Sequence, residues 1–388
     1  MIDGPSALVL PGGGARAAYQ VGALRAIAHI HGRPGPLPFA ILCGTSAGAL
    51  NAVAIAQHAD DFRRGIARLA RWWRRVEVSS IYRADFGALS VHSARFLAAV
   101  LMGAPPPRGV AALLDSAPLA RVIESEFDFE RIRAHVRAGT LRALAVNATS
   151  YTTGHAVTFF EAGADQLGWN RMRRRGEAAR LGPAHLLASA AIPFVFPAQG
   201  IGDDYYMDGS VRLAAPLSPP LNLGARRILV IAVGQFGGQR PDHAGPADYP
   251  SFAQAAGHAL STVFLDNLAV DVERMAQVNR LLTHVAPGAS VPGTAHVDAL
   301  VLAPSVDLGE LAMRYADRLP GSLRSLLRSL GSTQGTGANL VSYLLFDRAF
   351  CRALAVLGYR DTLARRAEVA AFLAGESAAG PRLPPRFG

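Results

Sequence analysis

The stretch Phe39-Ala40-Ile41-Leu42-Cys43-Gly44-Thr45-Ser46-Ala47-Gly48-Ala49-Leu50-Asn51 decides the fold. Phe39 to Cys43 is a short apolar run, as a buried strand requires. Gly44-Thr45-Ser46 reads as a turn, and the small and apolar residues from Ala47 onward suit a helix. Gly44 to Gly48 is therefore a G-x-S-x-G pattern at a strand–turn–helix junction, the context of a nucleophile elbow. The sharp turn pushes Ser46 out at the carboxyl edge of a sheet. Small flanking residues let strand and helix pack that closely, and the helix N-terminus favours negative charge developing at the site. The uncharged window from Phe39 to Ala56 also has the length of a membrane span. Gly44, Thr45, Ser46, Gly48 and Asn51 interrupt it, and strand plus helix is the better reading.

Upstream, Ser6 to Leu10 reads as a buried strand ended by Pro11-Gly12-Gly13-Gly14. Ala15 to His31 follows as a helix, with Ala18, Val21, Leu24 and Ala28 at helical spacing. A Pro/Gly loop, Gly32 to Pro38, leads into the strand at Phe39. Strand, glycine loop, helix, strand, turn, helix is a βαβα opening. It predicts an α/β fold with a central, mostly parallel sheet sandwiched by helices. With the first two strands adjacent, the glycine loop and Ser46 share one sheet edge. Consecutive glycines leave backbone N–H groups unshielded, as an oxyanion hole requires. Gly12-x-Gly14-x-x-Ala17 also fits a dinucleotide fingerprint, which needs an acidic residue about 20 positions on to hold the ribose. No Asp or Glu occurs between Asp3 and Asp60, so the cofactor reading falls and no cofactor is implied.

Farther along, Leu141 to Thr149, Ala156 to Glu161 and Arg227 to Gly234 read as strands, the first two joined by a hairpin turn at Thr153-Gly154-His155. These boundaries give a catalytic domain over 6–234, a Gly/Pro/Asp-rich linker over 235–250, and a helical C-terminal region over 251–373 packing on the catalytic domain. The tail, 374–388, reads as disordered. Asp208-Gly209-Ser210 follows Asp203-Asp204-Tyr205-Tyr206-Met207; taken alone, Asp208 is not distinguished from Asp203, Asp204 or a plain Asp-Gly turn.

Composition excludes other classes. Half the chain is apolar and 18% is charged, which rules out global disorder. The formal charge is +10, and all 39 basic residues are arginine. Such a balance suits an anionic membrane surface or nucleic acid, but no nucleic-acid reading module is present and no nucleic-acid partner is expected. Cys43 and Cys351 lie in apolar segments and read as buried free thiols, and no Cys/His cluster suggests a metal. The N-terminus enters a strand without a signal-peptide pattern, and the expectation is a cytoplasmic protein without a transmembrane helix. Phe62 to Val76 separates on a helical wheel into an apolar side (Phe62, Ile66, Leu69, Trp72, Trp73, Val76) and an arginine side. This is the composition of a helix making peripheral membrane contact. Equally it is that of a helix packing its apolar face on the domain core, and this second reading is preferred, since Gly65 and Ala67 add little insertion energy.

Four blocks together make the chain resemble the patatin-like phospholipase family. They are LPGGGARAAYQVGAL from Leu10, GTSAGALNA from Gly44, ASAAIPFVFP over 188–197 and DGSVRLAAPL from Asp208. The resemblance implies a patatin-like three-layer fold with a helical C-terminal extension, and a lipid or acyl-ester substrate. It implies a Ser–Asp dyad without a histidine, in which Ser46 corresponds to the nucleophile and Asp208 to the base. Gly12, Gly13, Gly14 and Arg16 correspond to the oxyanion loop. Ala17 stands where glycine is common, and Ser210 replaces the usual Gly or Ala. The rival enzyme is an ordinary α/β-hydrolase with a Ser–Asp–His triad, for which His243, His258, His284 and His296 follow Asp208. In that fold the elbow strand normally comes later than second.

Overall fold

The computed structural model describes residues 4–83, 112, 114–234, 267–285, 291, 294–329, 337–376, 378 and 380–384. The proposed linker over 235–250 lies outside them, as do 251–266 of the C-terminal region.

The chain opens with β1 (Ser6–Leu10), a 3-10 turn (Gly14–Ala17), α1 (Ala18–His31), β2 (Ile41–Thr45) and α2 (Ala47–Ala56). This is the βαβα unit expected from the sequence, and β1 pairs with β2 in parallel. After α3 (Phe62–Trp73), α4 (Val78–Ile81), α5 (Ala117–Glu126) and α6 (Phe129–Arg137) come β3 (Ala143–Ser150) and β4 (Ala156–Ala162). These two form the anticipated hairpin, with Gly154 at φ 65 in its turn. Next are β5 (Trp169–Arg171), β6 (Arg174–Ala178), α7 (Pro183–Ser189), β7 (Gln199–Ile201), β8 (Asp204–Asp208), α8 (Ser218–Asn222) and β9 (Arg227–Ile231). The C-terminal part contributes α9 (Asn267–Leu282), β10 (Asp298–Leu302), α10 (Leu308–Met313), α11 (Gly321–Ser329), α12 (Gly337–Leu344), α13 (Arg348–Ala364) and α14 (Arg366–Ala374).

The ten strands form one mixed sheet in the order β10-β9-β1-β2-β3-β4-β6-β5, with β8 pairing β3 and β7 pairing β8. Side chains alternate across it with the period of two that a pleated strand imposes. Leu8, Leu10, Leu42, Leu144, Val146 and Leu229 face one layer, which holds α1, α2, α3 and α13. Ala7, Val9, Ile41, Cys43, Ala145 and Val230 face the other, against Leu268, Val272 and Met275 of α9. Both cysteines are buried and free.

The C-terminal part is helical, as expected, and adds one element that the sequence did not reveal: Asp298-Ala299-Leu300-Val301-Leu302 is a buried strand that pairs in parallel with β9 and completes the sheet. Its apolar run is too short to display a period, and a buried strand and a helix segment look alike at that length. Near the C-terminal end, Arg382 pairs with this strand: its N–H and carbonyl bond Ala299 and Val301 at 2.8 and 3.0 Å. Its guanidinium also lies 3.7 Å from Asp298 Oδ2. Finally, β2 runs to Thr45, so the reversal before α2 is made at Ser46 alone rather than over Gly44-Thr45-Ser46.

Helix α3 uses its apolar face internally. Phe62, Ile66, Leu69, Trp73 and Val76 are all buried, while the arginines at 63, 64, 68, 71, 74 and 75 are exposed. Trp72, the remaining residue of the apolar side, is half-buried. No helix among the described residues is long and apolar enough to cross a membrane.

The C-terminal helices are joined closely to the βαβα unit. At the crossing of α1 and α13, Gly22 lies against the carbonyl of Ala355 and Gly358 against that of Tyr19. A methyl group at either glycine would collide with the opposing backbone, so this is a contact only glycine permits.

Candidate active site

Strand β3 aligns the site. On its flank β2 ends with Thr45 opposite Asn147, and β8 arrives from the other direction with Asp208 opposite Ala148. Two strands from distant parts of the chain therefore meet end to end beside consecutive residues of β3. Their meeting point brings Ser46 to Asp208.

Ser46 has φ 53 and ψ −130, a backbone conformation that a non-glycine residue adopts only under constraint, at a cost of about 1–3 kcal/mol. The constraint is steric closure around it. A methyl group at Gly44 would strike Ala49, and one at Gly48 would strike the carbonyls of Leu10 and Pro11. The two glycines of the G-x-S-x-G pattern thus let α2 sit directly on β2 and on the root of the glycine loop. The Ser46 N–H donates to Ser189 Oγ at 2.8 Å, and Ser189 Oγ donates to the Asn147 carbonyl at 2.6 Å. Asn147 Nδ2 donates to Thr45 Oγ1 at 3.0 Å, and its Oδ1 accepts from Thr158 Oγ1 at 2.8 Å. The elbow is held from beneath by this buried polar set.

Asp208 is fully buried. Its N–H donates to the Ala191 carbonyl at 2.8 Å, and its Oδ1 accepts from the Ser210 N–H at 2.8 Å. Oδ2 has no partner in ordinary hydrogen-bond geometry. The Ser46 hydroxyl is close enough to favour the ionised carboxylate, and the Ser210 bond acts in the same sense. Burial outweighs both and pushes the carboxyl up to about 6. Asp203 is the exposed tip of the β7–β8 hairpin, and Asp204 accepts from the hydroxyls of Ser150 and Thr152 at 2.5 Å. Neither reaches Ser46, so register separates three acidic residues that the sequence alone leaves level.

The glycine loop lies at the same edge. Gly13 caps the 3-10 turn and Gly14 opens it, and their N–H groups donate to no acceptor among the described residues. A buried chain of amides secures the loop's root: Trp73 Nε1 donates to Asn51 Oδ1 at 2.7 Å, Asn51 Nδ2 to Gln20 Oε1 at 2.8 Å, and Gln20 Nε2 to the Pro11 carbonyl at 2.9 Å. Arg16 stands apart from the other three loop residues. Its N–H is taken by the Gly13 carbonyl at 3.1 Å, and its side chain turns away into α12.

No histidine among the described residues bonds Ser46 or Asp208. His296 lies beside Asp298, at the sheet edge opposite the elbow, because β1, β9 and β10 run parallel and Asp298 is level with their starts. His284 follows the end of α9, and His243 and His258 lie outside the described residues. No cluster of three or more His, Cys, Asp or Glu among the described residues could hold a metal ion.

Sequence reasoning missed Asn147, Thr158 and Ser189. The first two carried a signal, being polar within the apolar runs 143–148 and 156–160. Ser189 belongs to the ASAAIPFVFP run, in which nothing local distinguishes it.

A serine forced out of a strand, a carboxylate with one unpaired oxygen and unshielded N–H groups at one edge can together form and hydrolyse an acyl ester. The sequence model of the patatin-like phospholipase family matches residues 8–221, more than half of the chain, and the protein belongs to that family. The family is one of lipid acyl hydrolases. Among solved structures, human group IVD cytosolic phospholipase A2, in complex with methyl gamma-linolenyl fluorophosphonate, is similar at 14% identity and a TM-score of 0.42. That match covers 96% of this chain and 59% of the human one, so the chain spans about three fifths of that enzyme's length. VipD from Legionella pneumophila is similar at 11% identity and a TM-score of 0.35, covering 94% of this chain and 67% of that one. No curated protein matches the sequence.

Proposed function

We propose that the protein hydrolyses fatty-acyl esters of phospholipids, lysophospholipids or acylglycerols through a Ser46–Asp208 dyad. The observation that carries this reading is the strained Ser46 beside a buried carboxylate whose Oδ2 has no other partner. Asp208 Oδ2 accepts the hydroxyl proton as Ser46 Oγ bonds to the ester carbonyl carbon. The Gly13 and Gly14 N–H groups, with Gly12 shaping the loop, donate to the carbonyl oxygen as it becomes an oxyanion. Collapse of that intermediate breaks the ester bond, and the leaving alkoxide takes the proton from Asp208. Water then attacks the acyl-Ser46 ester with Asp208 again as base, releasing the fatty acid and restoring both side chains.

A carboxylate with an ordinary pKa is a weak base towards a serine hydroxyl. Burial of Asp208 narrows that gap by raising its basicity to about 6. The test is hydrolysis of a medium-chain p-nitrophenyl ester and of phospholipid vesicles by the wild type, Ser46→Ala, Asp208→Ala, and single alanine variants of His243, His258, His284 and His296. Loss in the first two variants with all four histidine variants active supports the dyad. A folded but inactive histidine variant points to a triad, and an inactive wild type favours a lipid-binding scaffold or the need for an activating partner.

A further inference from the structure

We propose that α12, which lies outside the residues matched to the family, holds the glycine loop in its working shape by gripping Arg16. The inference rests on the reading of that loop as the oxyanion hole. Arg16 is 2% exposed and forms no ion pair with a described residue. Its Nε donates to Ser342 Oγ at 2.7 Å and its Nη2 to Asn339 Oδ1 at 2.7 Å. The guanidinium carbon lies 4.4 Å from the centre of the Tyr343 ring. The Ser342 hydroxyl donates in turn to the Asn339 carbonyl at 2.5 Å. The Asn339 amide is itself confined, since a methyl group at Gly309 of α10 would come within 2.7 Å of its Oδ1.

A buried guanidinium without an anion is costly unless each face and fork is satisfied. Here two neutral acceptors and an aromatic face offset that cost. The set is specific, because displacing α12 strands a buried charge.

The same helix touches the loop a second time. Gly14 has φ 53, and the carbonyl of Tyr343 occupies the place a side chain there would take. The Arg16 N–H closes the turn onto the Gly13 carbonyl. The segment from Gly13 to Arg16 is therefore pinned at Gly14 by the backbone of α12 and at Arg16 by its side chains. Oxyanion donors act only when their N–H groups are fixed where the charge appears. Arg16, Asn339 and Ser342 are accordingly positioning residues, and the guanidinium does not face the substrate.

The experiment uses the full chain and a soluble p-nitrophenyl ester, with circular dichroism and Tm recorded for every variant. The Asn339→Ala/Ser342→Ala double variant should lose about tenfold or more in kcat with KM within about twofold. Ser342→Thr, which keeps the hydroxyl, should retain kcat within about twofold. Arg16→Lys should fall between them, keeping the charge without the fork. If the double variant does not fold, Ser342→Ala alone, assayed well below its Tm, carries the same expectation in smaller degree. An unchanged kcat, a change confined to KM, or a Thr variant as impaired as Ala overturns the inference. Ser46→Ala separates the two levels: if it stays active, the reading of the site fails, whereas if it is inactive and the α12 variants are fully active, only this inference fails.

Discussion

Ser46 and Asp208 reach each other because Thr45 pairs with Asn147 and Asp208 with Ala148, the next residue of β3. The strand's register, rather than any loop, sets their approach. Asn147 and Ala148 are both buried, so the geometry of this pair is set within the packed interior of the sheet.

The pH dependence of the reaction follows from Asp208. Its carboxyl must be ionised to accept the Ser46 proton, and burial holds it at about 6. The kcat/KM for a soluble ester is therefore expected to rise with pH through about 6 and level above it. A profile flat from pH 4 to 8, or one whose midpoint moves in a histidine variant, would count against Asp208 as the base.

The same shift predicts a stability effect. Asp208 is easier to protonate in the folded chain than in the unfolded one, where its value is near 3.8. Its protonated form favours folding below about pH 4, and this contribution is lost as pH rises through about 6. Asp208→Asn stays neutral throughout. It should be inactive yet more stable than the wild type at pH 8, by up to about 3 kcal/mol, with no advantage at pH 3.5. Denaturant unfolding at the two pH values measures this, and an equal gap at both contradicts it.

Ser189→Ala removes the hydroxyl that accepts from the Ser46 N–H and donates to the Asn147 carbonyl. Both groups are buried, so the substitution should cost about 1–3 kcal/mol and lower kcat as the elbow loosens. Urea melts paired with ester kinetics test this. Wild-type values in both would show that the bridge is not needed.

Gly48→Ala places a methyl group against the carbonyls of Leu10 and Pro11 at the root of the glycine loop. Backbone atoms cannot rotate away as a side chain can, so α2 must shift. The expected outcome is a loss of more than about 2 kcal/mol with activity abolished. Gly182→Ala, at a helix cap where a methyl group meets nothing within 4 Å, is the control and should be mild. Thermal unfolding of the two variants settles the comparison.

The elbow was legible because G-x-S-x-G dictates a tight local geometry, and the βαβα opening because its periods are strong. Asp208 was legible only through its resemblance to a family motif. A polar five-residue strand such as β8 carries no hydrophobic signature, and what singles Asp208 out from Asp203 and Asp204 is register against β3. Strand β10 and the role of α12 were hidden for a related reason: both are defined by partners far away in sequence. The grip of Ser342 and Asn339 on Arg16 joins residues 326 and 323 positions apart in sequence, and no local pattern announces such a pair. The basic helix α3 was ambiguous on its wheel, and packing against the core decided which face it buries.

The most direct test of the central claim is intact-mass and peptide mapping of the protein after brief reaction with a medium-chain p-nitrophenyl ester, quenched in acid. The account predicts a mass increase of one acyl group, mapped to the peptide carrying Ser46, that is absent in Ser46→Ala. An acyl group on another residue, or hydrolysis that continues at the wild-type rate in Ser46→Ala, would contradict it.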